Sequence, residues 1–514
     1  MRFSLSTKSL CGAFLGIAAA VAVVPTSTIG GVGIDTSKLR GAVSVWGVRA
    51  HQAAFQIIAN RNGGTRASGT PGYDASVGYV VRKLRKAGYK VTVQPFDFAL
   101  FEELADPVFE QTAPNQVAYE LYGVEGFATM EYSGSGDVTA AVQGVDLQLP
   151  PPPVPGSTSG CEASDFAGFV PGNIALIQRG TCTFGEKAAF AQAAGASGVI
   201  IFNEGQPGRT EVLIGTLSSP DFDIPVVGAA FSVGQQLAAA PGATAHISVT
   251  AEVEIRSTSN VIADSRHGRP DHVVVVGAHL DSVDEGPGIN DNGSGSAMIL
   301  EIAEGMAKKR IKPANKVRFT FWGAEESGLV GSTYYVANLS DEELGKIALN
   351  LNFDMVGSPN FVRFIYDGDG SATGTAGPAG SDVIEAVFQD YFDRRNLPTE
   401  PTAFDGRSDY GPFIAVGIPA GGLFTGAEEE KTPEQAAIFG GTAGVALDPC
   451  YHQACDTFRN VSIPALRQMT NAAAHTVMTF AMNRAPLGTA AASMMARSGA
   501  ATTQFEYKGN HLVR

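Results

Sequence analysis

The sequence predicts an α/β fold, a mostly parallel central sheet flanked by helices, and three observations predict it. Residues 273–276 are an unbroken valine run, the pattern of a strand buried on both faces of a parallel sheet. Met298, Ile299, Ile302, Ala303 and Met306 then recur at helical spacing. Further apolar strand patterns at 317–322 and 349–356 alternate with helical material, as β-α units do.

In chain order, residues 1–24 read as a signal peptide. Arg2 and Lys8 give a positive start, and the apolar run 10–24 is short for a membrane span. An uncleaved N-terminal anchor is the alternative. Two helical patterns follow between residues 39 and 94. The second, 74–87, sets Val77, Val80, Val81 and Leu84 on one face; Gly88 stops it, and 90–93 begins a strand. The block 100–253 differs in character, with a proline run at 150–153, strand patterns at 174–178 and 199–202, and abundant glycine. Strands and helices alternate from residue 260, and residues 308–310 complement the negative end of the helix that carries Met298. The tail 486–514 is a low-complexity segment of Ala, Ser, Thr and Gly.

Composition narrows the function classes. With 514 residues, 44% hydrophobic and 17% charged, the chain has ample material for a core, which excludes a disordered or collagen-like protein. Basic residues number 36 against 51 acidic ones, a net charge of -15 that disfavours phosphate backbones, so no nucleic-acid partner is expected. Nor is a membrane span expected in the mature chain. Apart from Cys11 the cysteines are Cys161, Cys182, Cys450 and Cys455. An even set in an exported chain suggests two disulfides, and sequence proximity pairs Cys161 with Cys182 and Cys450 with Cys455. A four-cysteine zinc site is the rival, although neither pair has the C-x-x-C spacing.

The candidate chemistry gathers at strand ends. His279 closes the valine strand, and alternation places Asp281 on the same side, where it can accept a proton from one ring nitrogen and leave the other for a metal. Asp291 precedes the Met298 helix, Glu325 and Glu326 follow the strand at 317–322, and Asp354 lies where the next strand runs out. The carboxyl ends of strands in an open α/β sheet share one rim, so these groups meet there. So many carboxylates repel unless a divalent cation lies among them; the bland alternative is helix caps and solvated loop acids. Carboxylate and imidazole without cysteine suit zinc, and a zinc pair is a recurring solution for amide hydrolysis. Adjacent Glu325 and Glu326 do not easily face one ion, which frees one of them to act as a base. His452, inside the segment 450–455, is the best second imidazole.

The segments AHLDS, GINDNGSG, WGAEE, NFDMVGS and CYHQACD resemble those of the M28 family of zinc aminopeptidases, especially secreted bacterial leucine-type enzymes. The similarity extends to NGGTR at 62–66, to GYDASV at 72–77 and to GRSD at 406–409, and it covers about residues 39–98 and 257–480. It implies a zinc exopeptidase fold and two zinc ions per chain. Asp291 would bridge them, with His279 and Asp354 on one ion and Glu326 and His452 on the other. Glu325 would be the general base, Asp281 would orient His279, and Tyr451 would hydrogen-bond the nascent oxyanion. Arg407 resembles a residue whose backbone carbonyl holds the substrate's amine; a surface-loop arginine is the alternative.

The middle block resembles a protease-associated (PA) domain, carried by GNIALIQRGTCTF at 172–184, by 187–194 and by GVIIFN at 198–203. Between the signal peptide at 1–24 and the tail at 486–514, the resemblance implies a discontinuous peptidase domain at 36–100 and 255–485 with a mainly β PA insertion at 101–254. Two departures stand out. Tyr410 replaces a histidine common in relatives, and residues 460–471 lack the acids with which some relatives bind calcium at that place. The implied activity is a secreted, dinuclear zinc aminopeptidase that takes peptide and protein N-termini and prefers large neutral residues such as leucine. A PA-containing carboxypeptidase or dipeptidase of the family is the alternative, then a glutaminyl cyclase of similar fold or a non-catalytic receptor-like module.

Overall fold

The computed structural model describes residues 34–484. The expected signal peptide at 1–24 and the low-complexity tail at 486–514 lie outside the described residues. Helices Ser37–Arg40, Val45–Arg61 and Pro71–Ala87 come first. The last begins ahead of the apolar pattern because the Thr70 side chain accepts the Tyr73 N–H and Pro71 occupies the first turn. Gly88 ends it at φ 91°, a left-handed conformation that costs glycine little.

Among the described residues fourteen strands follow. They are β1 (Lys90–Ala113), β2 (Val117–Ala118), β3 (Phe127–Thr129), β4 (Gly136–Val145), β5 (Ile174–Gln178), β6 (Gly198–Phe202) and β7 (Val226–Ala229), then β8 (Thr244–Asp264), β9 (Arg269–His279), β10 (Asn315–Trp322), β11 (Ile347–Phe353), β12 (Phe364–Tyr366), β13 (Glu400–Thr402) and β14 (Ala420–Phe424). Their order is β13-β12-β14-β11-β9-β10-β8-β4-β5-β6-β7-β3, with β1 paired to β8 and β2. Two parallel blocks stand out, β14-β11-β9-β10 and β4-β5-β6-β7. The antiparallel strand β8 joins them, pairing with β10 through its C-terminal half and with β4 through its N-terminal half.

The first block carries the α/β architecture. Val274, Val275 and Val276 are buried on β9, as a strand covered on both faces requires. Helix Gly293–Lys308 buries Met298, Ile299, Ile302, Ala303 and Met306, and helix Ile463–Met482 is buried along much of its length. Strand β11 stops at Phe353, short of the expected 356. Met355 turns to φ 45°, and its N–H goes to the Asn292 side chain instead of a ladder.

The second block has its own core. Ile174, Leu176, Ile200, Phe202 and Val227 cluster on one side of its sheet; Ala175, Ile177, Val199, Ile201 and Val226 cluster on the other. Disulfide Cys161–Cys182 lies in this block, and Cys450–Cys455 lies beside the rim of the first. Strands β1 and β8 run through both blocks as one long antiparallel ladder in which Leu100 pairs with Glu254. Among the described residues no helix is long and apolar enough to cross a membrane.

Candidate metal centre

The carboxyl ends of β9, β10 and β11 open on one rim. His279 is the last residue of β9, paired with Trp322 at the end of β10, so the Glu325 turn lies directly beside it. Asp354 follows β11, and Asp291 precedes the first turn of helix Gly293–Lys308. His452 arrives on the loop closed by Cys450–Cys455, at φ 54°, with the Tyr451 ring stacked on its imidazole at 3.8 Å.

The side chains converge from distant parts of the chain. His279 Nε2 lies 3.2 Å from Asp291 Oδ1, 3.2 Å from Asp354 Oδ1 and 3.8 Å from Glu325 Oε2. His452 Nε2 lies 3.2 Å from Asp291 Oδ2 and 3.1 Å from Glu326 Oε2. Asp291 thus turns one oxygen to each imidazole. Two overlapping ligand groups result, His279–Asp291–Asp354 and Asp291–Glu326–His452, with ligand atoms within 4.8 Å of one another in each. His279 Nδ1 is 3.6 Å from Asp281 Oδ1, on the ring edge turned away from the cluster.

Electrostatics here are those of a site built for added positive charge. Burial, together with neighbouring Asp409 and Asp354, pushes the Glu325 carboxyl well above the ordinary carboxylate range against the pull of His279. Burial and Asp291 push Glu326 up to about 7. Burial works against ionisation of Asp291, yet hydrogen bonds from His279 and His452 hold it low. Burial opposes protonation of His452 as well, while Glu326 and Asp291 push it up to about 10. Carboxyls outnumber imidazoles, and His452 Nε2 faces two acids, Asp291 and Glu326. Sites of this donor set, oxygen and imidazole without thiolate, fit zinc.

Tyr451 and Arg407 stand next to this cluster. Arg407 donates to Glu428 Oε1 at 2.7 Å and to Tyr451 Oη at 3.3 Å, so its guanidinium is pinned and mostly buried. Burial raises the Tyr451 hydroxyl well above its usual range, which keeps it a proton donor. A cavity of about 60 Å³ opens here, walled by Met355, Tyr366, Phe424 and Ala427 beside the acids. A second cleft of about 250 Å³ leads from Glu326 and His452 toward the β4–β7 block, past Glu102, Glu103 and Glu131.

Several supporting residues carry no assignment in the sequence reading. Asp456 accepts the backbone N–H of Asn290 at 2.8 Å and of Asp291 at 2.9 Å, fixing the turn that presents Asp291. Arg66 is fully buried and donates to the carbonyls of Leu280, of Pro287 at 2.8 Å and of Gly288 at 2.6 Å, tying the His279 and Asp291 loops together. Ser408 donates to Asp354 Oδ2 at 2.7 Å. Asp409 is fully buried behind Asp354 and pushed up to about 8 by that burial. All four lie in segments that carry the family resemblance, but only a fold shows what they touch.

The sequence pattern of peptidase family M28 matches residues 260–477, and that of the PA domain matches 145–237. An aminopeptidase of Pseudomonas aeruginosa is 52% identical over 424 residues, 82% of this chain and 78% of that protein. Leucine aminopeptidase 2 of Trichophyton rubrum is 49% identical over 328 residues, 63% of this chain and 65% of the relative. Among solved structures, the aminopeptidase from Aneurinibacillus sp. strain AM-1 is 27% identical with a TM-score of 0.66, covering 88% of this chain and 97% of its own. A zinc aminopeptidase from Bacillus subtilis is 26% identical with a TM-score of 0.53, covering 87% of this chain and 97% of its own.

Proposed function

The chain belongs to peptidase family M28, and from that premise we propose that it is a secreted aminopeptidase holding two zinc ions and preferring large neutral N-terminal residues such as leucine. The observation that carries the reading is the Asp291 carboxylate set between two imidazoles, with Asp354 completing one ligand group and Glu326 the other. His279, Asp354 and Asp291 would hold one ion, and Glu326, His452 and Asp291 the other. What a zinc pair supplies when bound is Lewis acidity, which polarises a carbonyl and makes water a nucleophile near neutrality.

The chain's own residues do the rest. Glu325 takes the proton of the attacking water on its carboxylate and passes it to the leaving nitrogen. Tyr451 Oη donates to the substrate carbonyl oxygen as negative charge grows there, held in place by Arg407. Asp281 keeps the His279 ring oriented through Nδ1. The carboxylates Asp405 and Glu429 at the cavity recognise a free ammonium, which confines cleavage to the chain end. The apolar wall of that cavity suits a large neutral side chain, and the longer cleft suits the remainder of the peptide. Residues 101–254 form the PA insertion in this reading, and 36–100 with 255–485 the peptidase. The leucine preference draws support from the fungal relatives' name; export draws support from the two disulfides.

The test compares leucine amide with N-acetyl-leucine amide on the zinc-loaded protein. An aminopeptidase hydrolyses the first and rejects the second; hydrolysis of the acetylated amide, or of neither, removes the reading. Glu325→Ala retains zinc and loses activity by about 10²–10⁴-fold; near-normal turnover contradicts the base assignment.

A further inference from the structure

A second group of acids lies away from the zinc centre, at the carboxyl end of β12. Asp367, Asp369 and Glu385 each offer a carboxylate oxygen, and these atoms lie within 4.8 Å of one another. Asp367 is fully buried. Its Oδ2 accepts N–H bonds from Ala372 at 3.0 Å and Thr373 at 2.7 Å, and the Thr373 hydroxyl at 2.8 Å. Its Oδ1 is buried with no hydrogen-bond partner. Glu385 reaches in from helix Ser381–Asp393 and accepts the Gly368 N–H at 2.8 Å. Asp369, exposed at the loop tip, accepts the Ser371 N–H at 2.9 Å. The charged groups that Glu385 feels are Asp369 and Asp367, both acids. Among the described residues no lysine or arginine forms an ion pair with any of the three.

Three like charges at this spacing, one with an oxygen buried and unsatisfied, are unfavourable unless a cation lies among them. The donors are all oxygen, with hydroxyls and carbonyls of a loop reading DGDGSATG around them and neither imidazole nor thiolate. Such a set selects a hard cation, and the several carboxylate and loop oxygens gathered here suit the six-to-eight-oxygen shell of Ca²⁺ better than Mg²⁺, which keeps several of its waters. We propose that Asp367, Asp369 and Glu385 form a binding site for one hard divalent cation of the calcium class, separate from the zinc centre. The site has a mechanical link to the substrate cavity. Tyr366 immediately precedes it, stacks on Phe404 at 5.1 Å and 11°, and forms part of the cavity wall. A cation on the loop fixes that wall. The inference stands independently of the reaction assigned above.

The test uses the zinc-loaded full chain in metal-stripped buffer with Zn²⁺ held constant, titrated with CaCl₂ by calorimetry and by thermal unfolding. Wild type takes up one Ca²⁺ per chain, and its Tm rises by several degrees at saturating Ca²⁺; the same concentration of MgCl₂ gives a smaller shift. Asp369→Asn, at an exposed position that leaves the fold intact, loses both the heat and the Tm shift. Two results overturn the proposal: wild type without a calcium-dependent heat or Tm shift, and Asp369→Asn binding calcium as wild type does.

Discussion

In the proposed centre Asp291 would bridge two ions, and Asp456 holds its backbone for that role. The Asp456 carboxylate takes the N–H groups of Asn290 and Asp291 and sits one residue beyond Cys455. The loop that presents His452 therefore also fixes Asp291, and one short disulfide aligns both ligand groups. Removing such a support displaces a ligand without deleting it, which typically costs about 10–100-fold in metal affinity. Asp456→Ala is expected to lose zinc to a competing chelator at about that much lower chelator concentration, with its far-ultraviolet spectrum unchanged; wild-type retention would show that the turn holds itself. At this scale the sequence is legible where chemistry demands a residue type. Histidine and carboxylates at strand ends announce His279, Asp291, Glu325, Glu326 and Asp354. It is silent on Arg66, Ser408 and Asp456, whose partners are backbone groups or residues far along the chain. A side chain that hydrogen-bonds a distant carbonyl leaves no local pattern.

Among the elements, helix Gly293–Lys308 sets the height of Asp291 above the sheet. Its first turn lies against β11 so closely that a Cβ at Gly295 would stand 2.2 Å from the Phe353 carbonyl oxygen. Gly295→Ala must push helix and strand apart and with them Asp291 from Asp354, although alanine favours a helix by about 1 kcal/mol over glycine. The variant is expected to have a lower Tm and at least a tenfold loss in kcat/KM; a gain in Tm with full activity would show that the contact is not tight. Strongly patterned elements were readable, among them the valine strand and the Met298 helix. The β1–β8 ladder was not, since its strands span 24 and 21 residues and much of β1 is exposed, so its polar and apolar positions follow no strict alternation. The end of β11 was overrun for a related reason: Met355 and Val356 are apolar because the site loop is buried, not because the strand continues.

For the molecule as a whole, the two chain ends of the described fold are tied together. Thr36 Oγ1 lies 2.8 Å from His475 Nδ1 on helix Ile463–Met482. Burial, helped by Arg40 and Arg395, pushes the His475 imidazole down to about 4. The folded chain therefore binds this proton less readily than the unfolded chain, so the contribution to stability is complete above about pH 6.5 and is lost as pH falls toward 4. His475→Gln is expected to flatten the decline in stability over that window by about 1–3 kcal/mol relative to wild type, measured by denaturant unfolding. An unchanged slope would mean the imidazole titrates normally. Fold class was legible at this scale because buried parallel strands and amphipathic helices each leave a periodic trace. The junction of the two blocks was not, because one continuous ladder crosses it.

The proposed activity depends on a paired centre around Asp291. The most direct test is anomalous diffraction at the zinc edge from crystals of the mature protein. Two peaks are predicted, one among His279, Asp354 and Asp291 and the other among Glu326, His452 and Asp291. A single peak, or zinc bound away from these side chains, would contradict the account.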